Sequence, residues 1–366
     1  MVELLDWKNN QGLMESTDPR WRRQRKFFHQ TYNASIISEY HPIIRRHVQR
    51  LLGHLLSAPS DQHSHRHHAL GGILMNIAYG FDPKSKDDPH ISEALNVNYA
   101  FQAAVLPGAF LVDRIPLLKY IPAWMPGAGF KRWAEYYRQA TYSAQDRPFN
   151  FAMDGMKRNE IQPCAMTKMV ETLPEVDDPK YSEVKEDLVI TLGISYFAGV
   201  DSTNGALSIF VMAMAMYPEA QEKAQAELDR VVGTDRLPDF GDREDLIYLK
   251  ALIAEVMRWR QVTPLALPQK LMEDDYYDGY FIPKGTIVIG NAWICPGKDL
   301  AVEILYLEIA SIISTFEIAL PKDVTGTPIK IKLSYTDGAL AVPLPFEVVI
   351  KPRSSATEQI IYSIAE

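Results

Sequence analysis

The 366-residue sequence predicts a mainly α-helical fold with a small β region, and three observations lead there. Apolar residues recur at spacings of three and four along most of the chain. Strand-like alternation is confined to the later part, where Gly and Pro mark the turns. No internal repeat, low-complexity tract or linker interrupts the sequence, so residues 1–366 read as one domain, and a hydrophobic content of 47% supplies a substantial core.

Taken from the N-terminus, DPRWRRQRKFFHQ (residues 18–30) reads as a basic helix with Trp21 one turn before Arg25 on the same face. It is either a solvated helix or a place where indole and guanidinium together reach an anionic group. Helical spacing then covers residues 37–57, 68–80, 92–106, 128–153, 183–216, 217–232, 246–260 and 298–315. Between the first two of these, HSHRHH (63–68) lacks a second cluster of ligands and reads as a solvated polar loop, not a zinc site.

Residues 107–130 are apolar yet broken by four prolines, which restricts them to short helices or loops. They either tuck against the core or dip into a membrane interface with Tyr120 and Trp124 as anchors. In ISYFAGVDSTNGAL (194–207), Ala198 and Gly199 precede the polar trio Asp201, Ser202 and Thr203 inside a long apolar helix. Glycine weakens a helix and Ser and Thr compete for its carbonyls, so a local bulge is expected, either a plain kink or the site of a proton relay.

The helix ALIAEVMRWR (251–260) sets Glu255 and Arg258 three apart. Its apolar surroundings suggest a buried pair that needs further partners. Strands are expected in LALPQKL, YDGYFIPKGTIVIG, PIKIKLSY and FEVVIKP. Within IVIGNAWICPGKDLAVEIL (287–305), Cys295 lies between strand and helix, where a thiolate is electrostatically favoured. The thiol is a candidate metal ligand, a candidate nucleophile, or a packing residue.

Composition excludes several classes. A net charge of -8 gives no cationic face for nucleic acid. Two cysteines, Cys164 and Cys295, make no disulfide framework and fit a reducing compartment. No apolar run of membrane-spanning length occurs, the start MVELLDWKNN is not a signal peptide, and neither a GxSxG elbow nor a P-loop is present.

In order, WRRQR, AGVDST, EVMR and CPG resemble the landmarks of the cytochrome P450 haem-thiolate monooxygenases, over nearly the whole chain. NAWICPGKDLA, WRQVTPLALP and DDYYDGYFIPKGT are similar to fungal enzymes of secondary metabolism. The resemblance implies that Cys295 is the axial thiolate of haem iron, that Gly297 lets the chain pass close to the ring, and that Trp21 and Arg25 hold a propionate. It further implies a structural pair in Glu255 and Arg258, a groove over the iron at Ala198 and Gly199, and a proton relay through Asp201, Ser202 and Thr203.

Tyr196, Phe197, Val262, Leu265, Leu267 and the turn at Asp337 and Gly338 would shape an apolar pocket, for a polyketide or terpenoid substrate. The chain has no dinucleotide fingerprint, so electrons would have to come from a partner, and the resemblance implies a reductase that draws them from NADPH. The resemblance places such an enzyme at the endoplasmic reticulum membrane surface, with residues 107–130 as a peripheral contact.

Two departures stand out. The family's aromatic, glycine and arginine before the cysteine are here Val288, Asn291 and Trp293, which suggests an omission between Trp293 and Ile294. The chain also begins at a helix that in the family follows a membrane anchor and the first strands. A second reading is therefore a remnant of the fold that does not bind haem productively.

Overall fold

Twelve helices and six short strands account for most of the described residues, which in this computed structural model are 1–85, 88–106, 108–265, 267–290 and 295–365. The helices are α1 (Pro19–Tyr32), α2 (His41–Ser57), α3 (Gln62–Tyr79), α4 (Pro89–Ala104), α5 (Leu111–Arg114), α6 (Gly129–Lys157), α7 (Ala165–Val170), α8 (Tyr181–Met216), α9 (Pro218–Val231) and α10 (Ile247–Trp259), with α11 (Lys298–Thr315) and α12 (Ser355–Ala365) following the first strands. Two helix starts are fixed by the same chemistry. Asp18 caps α1 through the Arg20 N–H at 2.8 Å and Asp88 caps α4 through the His90 N–H at 2.9 Å, each followed by Pro at the first helical position.

At the centre runs α8, 36 residues long, packed by α3 along one side and by α1, α4, α6, α10 and α11 around it. Leu188, Leu192, Val200, Leu207, Phe210 and Met214 bury its successive turns, as expected of a helix apolar nearly all round. The apolar core is continuous from Leu5 to Ile361.

The strands form three antiparallel pairs: β1 (Gln269–Lys270) with β4 (Ile287–Val288), β2 (Asp275–Tyr277) with β3 (Tyr280–Ile282), and β5 (Phe316–Ala319) with β6 (Val349–Pro352). The hairpin of β2 and β3 turns on Asp278 and Gly279, both at positive φ, the conformation a two-residue hairpin loop requires.

Three expectations are corrected, and one helix was not anticipated. Residues 328–335 form no strand and contribute only the bridges Lys322 to Pro328 and Tyr335 to Pro343. HSHRHH is not a loop but part of α3, because its Arg66 is buried and donates to Gln62 and, at 2.9 Å, to Ser208 of α8. The AGVDST segment does not bulge: α8 is continuous, and Ser202 folds its hydroxyl back onto the Ala198 carbonyl at 2.6 Å. Finally, α12 docks on α2 with Ile361 fully buried, a helix that the spacing rules did not mark out. The interruption inferred between Trp293 and Ile294 lies outside the described residues.

Candidate functional site

The basic helix α1 has two working faces. Arg20, Arg23 and Gln24 turn toward α8 and converge on the fully buried Asp187, with Arg20 Nε at 2.7 Å, Arg23 Nε at 2.6 Å and Gln24 Nε2 at 2.9 Å. A buried carboxylate is tolerated only when paired and hydrogen-bonded, and here both conditions hold. The run is therefore not a solvated helix, as one of its two readings had it.

Trp21, Arg25, Phe28 and Tyr32, spaced four, three and four, share the other face. The Arg25 guanidinium lies 5.8 Å from the Trp21 ring centroid, and Arg25 forms no ion pair among the described residues. Arg25, Phe28 and Tyr32 line a recess of about 500 Å³ whose far wall is Pro296 and Asp299, at the start of α11. Sequence spacing thus delivers a cation, with an indole beside it, to the recess bounded by the turn that follows Cys295.

Cys295 is exposed and Gly297 caps α11 with φ of -88°, a conformation open to any residue. A Cβ at Gly297 would find nothing nearer than Phe28 Cζ at 3.8 Å and the Cys295 sulfur at 3.9 Å. Among the described residues neither backbone angle nor packing demands glycine here, and none of them fills the space beside the sulfur. A haem fits this donor set: one thiolate-forming sulfur, an uncluttered glycine beside it and an unpaired guanidinium for a propionate. Among the described residues no cluster of three His, Cys, Asp or Glu offers a different metal site.

From the recess the path leads to α8. Tyr32 hydroxyl and Ser195 hydroxyl lie 2.9 Å apart, and Ser195, Ala198 and Ser202 follow on one face. Ala198 is exposed in the middle of an otherwise buried helix, so this face is left open. Thr203 is buried, and burial pushes the Asp201 carboxyl up to about 6, against the opposing influence of the Asn98 amide.

Several expected roles change. Gly199 does not border the open face: a Cβ there would come within 2.7 Å of Leu74 on α3, so the glycine serves close packing of two helices. Tyr196 and Phe197 are buried on the far side instead of lining a pocket. Val262 packs on Gly205, and Gly338 sits 3.3 Å, measured from its Cβ position, from Gln102 of α4.

Glu255 and Arg258 pair at 2.6 and 2.7 Å but are 57% and 71% exposed, so the expected buried pair is a surface pair. The reason is geometric: α10 buries Leu249, Leu252, Ile253 and Val256, and Glu255 and Arg258 occupy its opposite face. Phe28, Tyr32 and Asn98 were missed by sequence reasoning. For the first two, the α1 spacing itself was a usable signal; for Asn98, an amide within an apolar stripe of α4, the sequence offered none.

Comparison with known proteins bears directly on this arrangement. The family model described as Cytochrome P450 matches residues 3–295. Cytochrome P450 monooxygenase COX2 of Coprinopsis cinerea is 35% identical over 410 residues, covering 100% of this chain and 78% of that protein. Tryptamine 4-monooxygenase of Psilocybe cyanescens is 30% identical, covering 99% and 79%. A solved zebra fish cytochrome P450 with progesterone superposes with a TM-score of 0.76 at 21% identity, covering 96% of this chain and 87% of the other. The alignment with COX2 is longer than the 366 residues here, so part of the relative's aligned span has no counterpart in this chain. Matched in sequence over most of its length and in fold nearly throughout, the chain belongs to the cytochrome P450 family of monooxygenase enzymes.

Proposed function

We propose that the chain is a haem-dependent monooxygenase that oxidises an apolar natural product, of polyketide or terpenoid class, in a fungal secondary-metabolite pathway. The observation that carries this reading is that Arg25 and Phe28 face the recess beside the Cys295 turn, with Phe28 against Gly297 and the Trp21 ring beside Arg25. Cys295 is the thiolate ligand, Gly297 leaves room beside it, and Trp21 with Arg25 holds a propionate by a charge-assisted bond. Haem bound there supplies one-electron and dioxygen chemistry.

The chain's own side chains handle the protons. Asp201, raised to about 6, exchanges a proton near neutral pH, and Ser202, on the open face one residue on, with Thr203, carries it across α8. Electrons come from NADPH through a partner reductase. The exposed apolar residues between 108 and 130 rest on the endoplasmic reticulum membrane.

One observation favours a second reading, a remnant that holds haem poorly. The Glu255–Arg258 pair stands open to solvent, and no third ionic partner joins it among the described residues. The carbon monoxide difference spectrum of the reduced, haem-supplemented protein decides between them. A red-shifted thiolate-type Soret band, abolished by Cys295→Ala, supports the monooxygenase. Absence of that band in the parent chain supports the remnant.

A further inference from the structure

We propose that Asn98 on α4 is a positioning residue for Asp201, tying α4 to the turn of α8 that carries the carboxyl and setting how readily the carboxyl parts with its proton. This inference rests on the relay assigned above to Asp201. Asn98 is buried among Ala94, Val97 and Ala100, where an amide persists only if its hydrogen bonds are met. Its Nδ2 donates to the Phe197 carbonyl at 2.8 Å. In α8 that carbonyl lies one turn before Asp201, so the same NH2 group stands over the acid and has a second hydrogen to offer it.

The surroundings leave Asn98 without a competitor. Asp201 forms no ion pair among the described residues, and burial favours its protonated form. The titratable neighbour on its own helix is the Tyr196 phenol, which burial keeps neutral and which also faces Asp88 at the start of α4. Gly71 of α3 lies against that phenol, 3.6 Å from where its Cβ would stand. The one group that stabilises the ionised form is the Asn98 amide. Gln102, one turn further along α4, meets the Gly338 turn, so α4 is held in register against both structures.

The test reads the Asp201 carboxyl directly, by infrared titration of the intact chain, with the band assigned by its loss in Asp201→Asn. In the parent the midpoint falls at about 6. Asn98→Leu, which fills the space without a donor, raises the midpoint by about one pH unit, roughly a tenfold change in proton affinity. Asn98→Ser, which keeps a hydroxyl donor, recovers part of that shift and provides a second variant if the leucine chain does not fold.

In the haem-loaded enzyme the acidic limb of the kcat profile moves up by the same amount with KM unchanged. A midpoint that stays at the parent value in both variants overturns the inference. A midpoint that moves with Asn98, while Asp201→Asn leaves the kcat profile intact, upholds the Asn98–Asp201 link and removes the relay instead.

Discussion

Glu308 on α11 is fully buried, and neither of its carboxylate oxygens has a partner among the described residues. Arg66 of α3 is the nearby cation, and its Nε is likewise unpartnered. Burial pushes the Glu308 carboxyl up to about 8, against the pull of Arg66, and pushes Arg66 down to about 10. The unfolded carboxyl ionises near 4.5, so between there and about 8 the folded chain holds a proton that the unfolded chain has released. Stability from this group is fully present below the lower value and is lost as pH rises through the upper one. Glu308→Gln should flatten that slope and raise the unfolding free energy above pH 8, by several kcal/mol at most, with Tm rising accordingly. Thermal unfolding followed from pH 5 to 9 checks it; parallel curves for parent and variant would refute it.

Elements show where local rules were overruled by neighbours. In α8, Gly199 and the Ser202 hydroxyl were expected to break the helix, yet Leu74 of α3 fills the glycine's gap and the serine bonds within its own turn. In α3, a run of His and Arg reads as loop, but Ser208 across the interface gives Arg66 a partner. The outer face of α10 is the opposite case, with Glu255 and Arg258 facing water. Such pairs contribute little, because solvent screens them and ordering two long side chains costs entropy. Glu255→Ala should leave Tm unchanged, while a drop of several degrees would mean that the pair is covered by another part of the chain. Circular dichroism melting is sufficient to distinguish the outcomes.

For the whole molecule, the exposed side chains from Leu111 to Met125 form a concentrated apolar surface, with Leu117 at 74%, Tyr120 at 73% and Trp124 at 80% exposure. Surfaces of this kind mark interaction sites. No helix among the described residues is long and apolar enough to cross a membrane. Leu117→Asp with Trp124→Asp should reduce co-sedimentation with phosphatidylcholine vesicles by tenfold or more, given about 25 cal/mol per Å² of apolar area withdrawn from water. Equal sedimentation of parent and variant would remove this face as the contact.

The sequence by itself determined the helical class, the limits of α11, the stripe on α1 and the order of landmarks that places the chain in its family, because periodicity and residue type are local properties. Which of two adjacent residues faces the open side of α8 was decided by packing: Leu74 claims Gly199 and leaves Ala198 exposed. Tertiary structure also decided that Arg20 and Arg23 hold Asp187 while Arg25 makes no ion pair among the described residues, and that Asn98 reaches the Phe197 carbonyl one turn before Asp201. The physical reason is common to these cases. Burial and the identity of a hydrogen-bond partner depend on chain segments that lie tens to hundreds of residues apart, and no local pattern encodes where they meet.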